Sequence, residues 1–555
     1  MQPGARIAWT SLPQMMLDLA RARPDQPMSR VWRDGAWVRV SWGDFARRTA
    51  AVAEGLRAAG IGPGDRVMLV SENRPEFIIA DTALMAIGAV TVPTYTTNLP
   101  ADHAHILADC GAIAAIVSTP ALAERVAEAG MGRIIVIDGP DWAALEATPA
   151  SVDRLAAEAE QIPPGRLACL IYTSGTGGRP KGVMLPHRAM LANRAGVAEL
   201  AERLALDGGT YLSFLPLSHS YEHTVGGYLL PSLGIEVIYS RGADRISAEF
   251  VEFTPTIITA VPRLFEVLRA RILAGVEKEG GLKARLFHRA VALGLRRMDG
   301  PPLSLLERLQ DALLDRLVRN KVRARFGGKL KALVSGGARL DPDLSGFFLA
   351  LGLPLIQGYG QTEAGPVVSV NLPWANRRQT VGPPLPGVEA RIAEDGEVCV
   401  RGKLVMDGYW NDPEATARAL IDGWLHTGDV GAIDPDGYLR ITDRKRDFIK
   451  TLGGDMVSPA KLESLLMAEP EIAQAVVAGE GQATIVALLV PAEGAAPDAA
   501  LARVNAKLSN IERIRRHAIV PPFTVENGLL TPTMKVKRRL VLAEHAATLG
   551  GLFGR

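Results

Sequence analysis

From about residue 40 the chain repeats one pattern: a short apolar run, then a longer segment with apolar residues at helical spacing. The runs VMLV, AAIVS, IIVID, EVIYS, IITAV and ALVSGG are too short for helices and are separated by segments of helical length. Strands buried on both faces of a parallel sheet read this way, and helices must then cover the sheet. The fold class expected is α/β. At 555 residues the chain exceeds what one hydrophobic core can hold, so a large domain with a smaller companion is expected. Near residue 395 the texture changes, and EDGEVCVRG and DVGAIDPDGYLRITDR read as strands joined by tight Asp/Gly turns. After DRKRD, Ser458 can cap a helix with Pro459 in its first turn, and the apolar strands AQAVVAG and ATIVALLV follow. The expected layout is an N-terminal domain over 1–445 of layered α/β subdomains and a C-terminal α+β domain over 446–555. The first contains a helical insertion at about 267–331 and a β-rich subdomain at about 380–445.

Charge narrows the function classes. Sixty-two Lys and Arg against sixty Asp and Glu leave a formal charge of +2, which gives no global case for nucleic-acid binding. The three cysteines, Cys110, Cys169 and Cys399, are far apart and odd in number. That usage fits a reducing cytoplasm and neither a disulfide framework nor a zinc cluster. The first residues, MQPGARIAWTSLPQMM, hold no apolar signal-peptide core, and the apolar stretch Phe77 to Val92 is interrupted by Asp81.

The stretch IYTSGTGGRPKGVML, residues 171–185, follows an apolar run that ends in Tyr172. Its loop is expected at the carboxyl end of a strand, where open α/β sheets bind ligands. Glycines 175, 177, 178 and 182 let backbone N–H groups approach an anion, and Ser174, Thr176, Arg179 and Lys181 add donors or charge. Pro180 stands where a Walker A loop needs glycine, so that motif is excluded.

TSGTGGRPKG resembles the phosphate loop of the adenylate-forming superfamily of acyl-CoA synthetases, luciferases and peptide-synthetase adenylation domains. Gly177 stands where that family usually carries threonine. The resemblance implies nucleotide contacts from Thr173, Ser174, Gly175, Thr176, Gly177, Gly178 and Lys181. LVSGGARL resembles the adenine-side turn, which implies that the base lies against Gly336, Gly337 and Ala338. QGYGQTE resembles the next motif. It implies that Gly358, Tyr359 and Gly360 border the nucleotide with Tyr359 stacked on adenine, that Thr362 contacts the α-phosphate, and that Glu363 with Thr176 holds magnesium. GWLHTGD supplies Asp429, whose two acceptor oxygens suit ribose hydroxyls, and DRKRD supplies Arg444.

The same resemblance implies two half-reactions: a carboxylate attacks ATP to give an acyl adenylate, and the thiol of coenzyme A then displaces AMP. NGLLTPTMKVKRRL resembles the C-terminal lysine motif, with Lys535 at the catalytic position and Lys537 beside it. A mobile C-terminal domain would pivot at Arg446 and bring Lys450 and Gly453 of IKTLGG to the thiol. LGGDM is not a carrier-protein site, because Met456 stands where the phosphopantetheine-bearing serine would be. LPLSHSYEH and TAVPRLFEVL resemble the long-chain fatty acyl branch and place His219 near the acyl carboxylate. A fatty acyl-AMP ligase serving a carrier protein, an aryl or medium-chain acyl-CoA ligase, and a catalytically silent nucleotide-binding protein are the alternatives.

Residues 267–331 carry sixteen Lys and Arg against six Asp and Glu, with leucines at helical spacing in LLERLQDALLDRLV. Reversible contact with an anionic membrane surface through Arg316, Arg319, Lys321, Arg323 and Arg325 is the functional expectation, and a solvated helical hairpin the plain one.

Overall fold

The computed structural model describes residues 9–173, 180–242, 244–445, 449–453, 455–531 and 536–554. Each of the six apolar runs forms a strand, and they build two large sheets. In one, Leu167–Thr173, Val90–Pro93, Arg66–Val70, Ala114–Val117 and Ile134–Val136 are parallel neighbours in that order. The other has a parallel centre of Glu236–Tyr239, Thr210–Ser213, Ile257–Ala260, Ala332–Ser335 and Leu355–Gly360, with antiparallel strands towards both edges.

After the glycine-rich loop, Lys181–Pro186 returns antiparallel to Leu167–Thr173, pairing Lys181 with Thr173, and the helix His187–Arg203 begins only afterwards. The alternation in KGVML supports that return strand, since Val183 and Leu185 are fully buried and Met184 is less so.

Residues of the second sheet divide by period two. Ile258, Ala260, Leu333 and Leu355 pack into a core with Phe250, Phe265, Phe326, Phe347 and Phe348, while Ile257, Thr259, Ala332, Val334 and Ile356 border a large cleft. Phe348 meets the rings of Phe265, Phe326 and Phe347 edge-on. Phe348→Ala is expected to cost about 3–5 kcal/mol of stability through the cavity it leaves. Urea denaturation checks this, and a loss below about 1 kcal/mol would mean that the core collapses to fill the space.

The β-rich part is an antiparallel sheet built on Glu389–Ile392, Glu397–Arg401, Leu420–Ile421, Trp424–Ile433 and Leu439–Arg444. Its last hairpin turns at Asp434, whose Oδ1 accepts from the backbone N–H groups of Asp436 and Tyr438. That turn fixes the register that sets Asp429 opposite Arg444. Beyond it, Ser458 caps the helix Pro459–Met467 by accepting from Lys461 N–H at 3.2 Å. Ile472–Ala478, Ile485–Pro491 and Ile514–Ile519 form a separate small sheet with its own cores.

The helical insertion includes Gly281–Asp299, Leu305–Leu314 and Asn320–Arg325. A Cβ on Gly294 would lie 2.7 Å from the backbone of Ala350, so only glycine allows this approach to the helix Pro342–Ala350. Arg319 is fully buried, donating to the carbonyls of Ala350, Ala290 and Asp311 and to the Asp311 carboxylate at 2.6 Å. Arg323 is held by Asp315 at 2.7 Å. Of the five basic residues expected on a membrane-facing surface, Arg316, Lys321 and Arg325 are exposed, whereas Arg319 is internal and Arg323 is paired. Helical spacing alone did not separate them, because the helix adds a π-helical turn at Asp315–Arg319 that rotates the later residues.

Candidate active site

The cleft holds about 2660 Å³ and is bordered both by the second sheet and by residues of the C-terminal part. At the carboxyl end of its strands the wall is made of backbone. Gly336, Gly337 and Ala338 follow Ala332–Ser335, and Gly358, Tyr359 and Gly360 end Leu355–Gly360. A Cβ on Gly336 would lie 3.0 Å from the ring of Tyr221, so a side chain there would press that ring out of place. Towards the amino ends the wall becomes apolar, with Ile257, Ala332 and Ile356 on the sheet, and Val197, Leu200, Leu204 and Leu229 also line the cleft. One sheet face thus carries a polar, glycine-walled end and a hydrocarbon channel.

Several expected residues meet at the polar end. The Tyr359 hydroxyl donates to Asp429 Oδ2 at 2.6 Å, and Arg444 Nε lies 3.4 Å from Oδ1 of the same carboxylate. Burial, reinforced by the charge of Asp429, holds the Tyr359 phenol neutral well beyond its usual range. The Thr362 hydroxyl lies 2.8 Å from that of Ser220. Glu363 accepts from the Tyr409 hydroxyl at 2.8 Å. Lys181 pairs with Asp412 at 2.8 Å and sits 5.2 Å from the centre of the Tyr409 ring. His219 borders the cleft and caps the helix Ser220–Thr224, its Nδ1 accepting from Tyr221 N–H at 3.2 Å. That bond leaves the proton of a neutral ring on Nε2.

Other expected residues are not brought together. Lys450 and Gly453 are exposed and do not border the cleft; the backbone N–H of Lys450 donates to Glu480 at 2.9 Å. The cleft is met instead by Leu530, Thr531, Val536 and Lys537. Ser174, Gly175, Thr176, Gly177, Gly178, Arg446 and Lys535 lie outside the described residues. Ser220, Tyr409 and Asp412 were not anticipated. Ser220 stands in the quoted LPLSHSYEH, where a hydroxyl beside His219 was the available signal. Tyr409 and Asp412 gave none, because each reaches its partner across the fold.

Glu222 is fully buried beneath this region. It accepts from Tyr211 and Ser213 at 2.6 Å and from Thr259 at 3.4 Å. Burial pushes its carboxyl up to about 7, against the pull of these three bonds. Its proton is therefore bound more tightly folded than unfolded, and the associated stability is present in acid and lost as pH rises through about 7. The wild type should lose roughly 3 kcal/mol between about pH 4.5 and 7 that Glu222→Gln does not lose. Denaturant midpoints of both proteins across that range check this, and parallel pH profiles would place Glu222 in the ordinary carboxylate range.

The chain matches the AMP-binding enzyme family over residues 18–410 and the AMP-binding enzyme C-terminal domain over residues 446–553. Long-chain-fatty-acid--CoA ligase FadD15 of Mycobacterium bovis is 34% identical, covering 98% of this chain and 96% of its own length. The peroxisomal long chain acyl-CoA synthetase 7 of Arabidopsis thaliana is 31% identical, over 95% of this chain and 83% of its own. Among solved structures, O-succinylbenzoate coenzyme A synthetase of Bacillus subtilis in complex with AMP aligns with a TM-score of 0.72 at 20% identity, covering 95% of this chain and 97% of that one. The A-PCP didomain of carboxylic acid reductase from Segniliparus rugosus in complex with AMP reaches 0.75 at 22% identity, over 99% and 83%. The two structures share the fold. Matched in both of its parts and across most of its length, the chain belongs to the AMP-binding enzyme family.

Proposed function

We propose that the protein is a long-chain fatty acid:CoA ligase that works through an acyl adenylate. The observation that carries this reading is the cleft, in which a glycine-walled polar end continues into an apolar channel on the same sheet face. ATP would occupy the polar end. Tyr359 and the turn at Gly336 to Ala338 would hold adenine, and Asp429, oriented by Tyr359 and Arg444, the ribose. The acyl chain would lie along Ile257, Ala332 and Ile356, which brings its carboxylate to Thr362, Ser220 and His219.

In the first half-reaction a carboxylate oxygen bonds to the α-phosphorus while the bond from that phosphorus to the bridging oxygen breaks, releasing pyrophosphate. Positioned cations lower this barrier, because charge shifts between anions. Lys181 and Lys537 border the cleft and would meet the phosphates, and Lys535 is assigned the leading part. Glu363, hydrogen-bonded by Tyr409, offers the hard oxygen donors magnesium prefers, and Thr176 is assigned beside it. When bound, the ion would neutralise phosphate charge. In the second half-reaction the thiol of coenzyme A bonds to the acyl carbon, the carbon–oxygen bond to AMP breaks and the thiol proton leaves to solvent. Lys450 and Gly453 are assigned to that step after the segment beyond Arg446 rotates. Their position away from the cleft, with Val536 and Lys537 turned towards it, suits the adenylating arrangement.

The domain limits 1–445 and 446–555 belong to the same reading, as do a reducing cytoplasm, in keeping with three buried free thiols, and reversible contact with an anionic membrane surface. Among the described residues no helix is long and apolar enough to cross a membrane.

The test is AMP and pyrophosphate release from ATP and magnesium with palmitate, octanoate or cinnamate, each with and without coenzyme A. Thioester formed fastest from palmitate supports the proposal. An adenylate that accumulates without thioester replaces it with an acyl-AMP ligase, and a preference for cinnamate with an aryl ligase.

A further inference from the structure

Large apolar side chains gather on the outer face of the helical insertion. Leu305, Leu306, Leu309, Leu313 and Leu317 are 80, 77, 72, 56 and 43% exposed. Spacings of four residues set Leu305, Leu309, Leu313 and Leu317 in a stripe along the helix Leu305–Leu314 and the turn after it, with Leu306 beside its start, while Asp311 and Leu314 point inward. Burying one leucine is worth about 1.5–3 kcal/mol, so five left in water along one face are a surface awaiting a partner.

The charges around the stripe say which kind. Each acid of this segment is already engaged: Glu307 with Arg296, Asp311 with Arg297 and Arg319, and Asp315 with Arg323. The exposed Arg316 and Lys321 have no carboxylate within ion-pair distance among the described residues, and Arg289 spends its guanidinium on the uncharged Gln310. A leucine stripe bordered by exposed cations outside any ion pair among the described residues suits a bilayer with anionic headgroups, where the leucines enter the acyl boundary and long basic side chains reach back to the phosphates.

We infer that the face of Leu305, Leu309, Leu313 and Leu317 docks flat on an anionic lipid surface, with Arg316 and Lys321 at the headgroups. The inference deepens the membrane contact included in the proposed function and rests on the ligase activity only for its use, which is to draw a membrane-dissolved acid to the enzyme.

Flotation of the full-length protein with vesicles of phosphatidylglycerol and phosphatidylcholine, and with phosphatidylcholine alone, tests it. The wild type should float with the anionic vesicles, less so at high salt, and poorly with phosphatidylcholine alone. L305Q/L309Q/L313Q, which alters only exposed positions, should weaken binding at least about tenfold. R316E/K321E should remove most of the salt-sensitive part. Wild-type protein that stays unbound, or a leucine variant that floats equally well, overturns the inference. So does sedimentation showing a wild-type dimer that the leucine variant abolishes, since a second copy would then cover the stripe. Octanoyl-CoA formation without vesicles separates the two readings. Both the wild type and the leucine variant should carry it out equally, and a protein that floats but ligates no acid would sink the function and leave the surface standing.

Discussion

In Lys535→Ala, adenylate formation from ATP and palmitate should fall by about 10²–10³-fold, the loss typical of one positioned charge-stabilising group. Thioester formation from ready-made palmitoyl adenylate and coenzyme A should stay within about threefold of wild type, since Lys535 is assigned to the first half-reaction alone. Leu530 and Val536 form an isolated antiparallel bridge, and Lys537 N–H donates to the Leu529 carbonyl at 2.8 Å. Leu530 and Thr531 before Lys535, and Val536 and Lys537 after it, border the cleft. Pyrophosphate release and thioester formation, measured separately, decide the matter. A full-rate Lys535→Ala beside a crippled Lys537→Ala would move the role two residues along the chain. Full rates in both would remove this segment from the chemistry.

Ala332→Trp should shorten the acids the enzyme accepts. Ala332 is buried at the apolar end of the cleft, opposite Ile257 on one neighbouring strand and two residues before Val334, which pairs with Ile356 on the other, so an indole there would fill the space of several methylenes. At about 0.8 kcal/mol per methylene, losing four contacts amounts to roughly 3 kcal/mol, or about a hundredfold in kcat/KM for palmitate. Octanoate, which ends before the block, should change less than about threefold. Competition between the two acids for limiting enzyme reads the ratio directly. Equal loss for both would show that Ala332 acts on the nucleotide end or on folding, and a circular-dichroism melt tells these apart.

The α/β layers, the β-rich hairpins and the capped C-terminal helix were legible because each rests on local chemistry: apolar runs, Asp/Gly turns, and Ser458 before Pro459. The residues proposed for the nucleotide were singled out for a different reason, their resemblance to a family whose motifs sit in loops, and the cleft gathers Tyr359, Thr362, Glu363 and Asp429 on one wall. Contacts that no local rule encodes stayed hidden. Glu363 finds Tyr409, and Lys181 finds Asp412, only once strand Gly408–Tyr409 pairs with Lys181–Pro186. Nothing in SYEH marks Glu222, yet burial among Tyr211, Ser213 and Thr259 pushes its carboxyl up to about 7. The basic insertion was read too evenly. Sequence gives every arginine one unit of charge, and only the fold spends Arg319 on three backbone carbonyls.

That buried guanidinium has a mechanical consequence. By gripping Ala290, Asp311 and Ala350 at once, and with Gly294 drawing the helices together, Arg319 welds the hairpin to the helix Pro342–Ala350 that follows the glycine turn at Gly336 to Ala338 on the cleft wall. A hairpin on a slack linker would act as a tether and leave the enzyme free to tumble. One welded at this point acts as a keel: whatever plane the leucines settle on, the mouth of the cleft meets it at one fixed tilt.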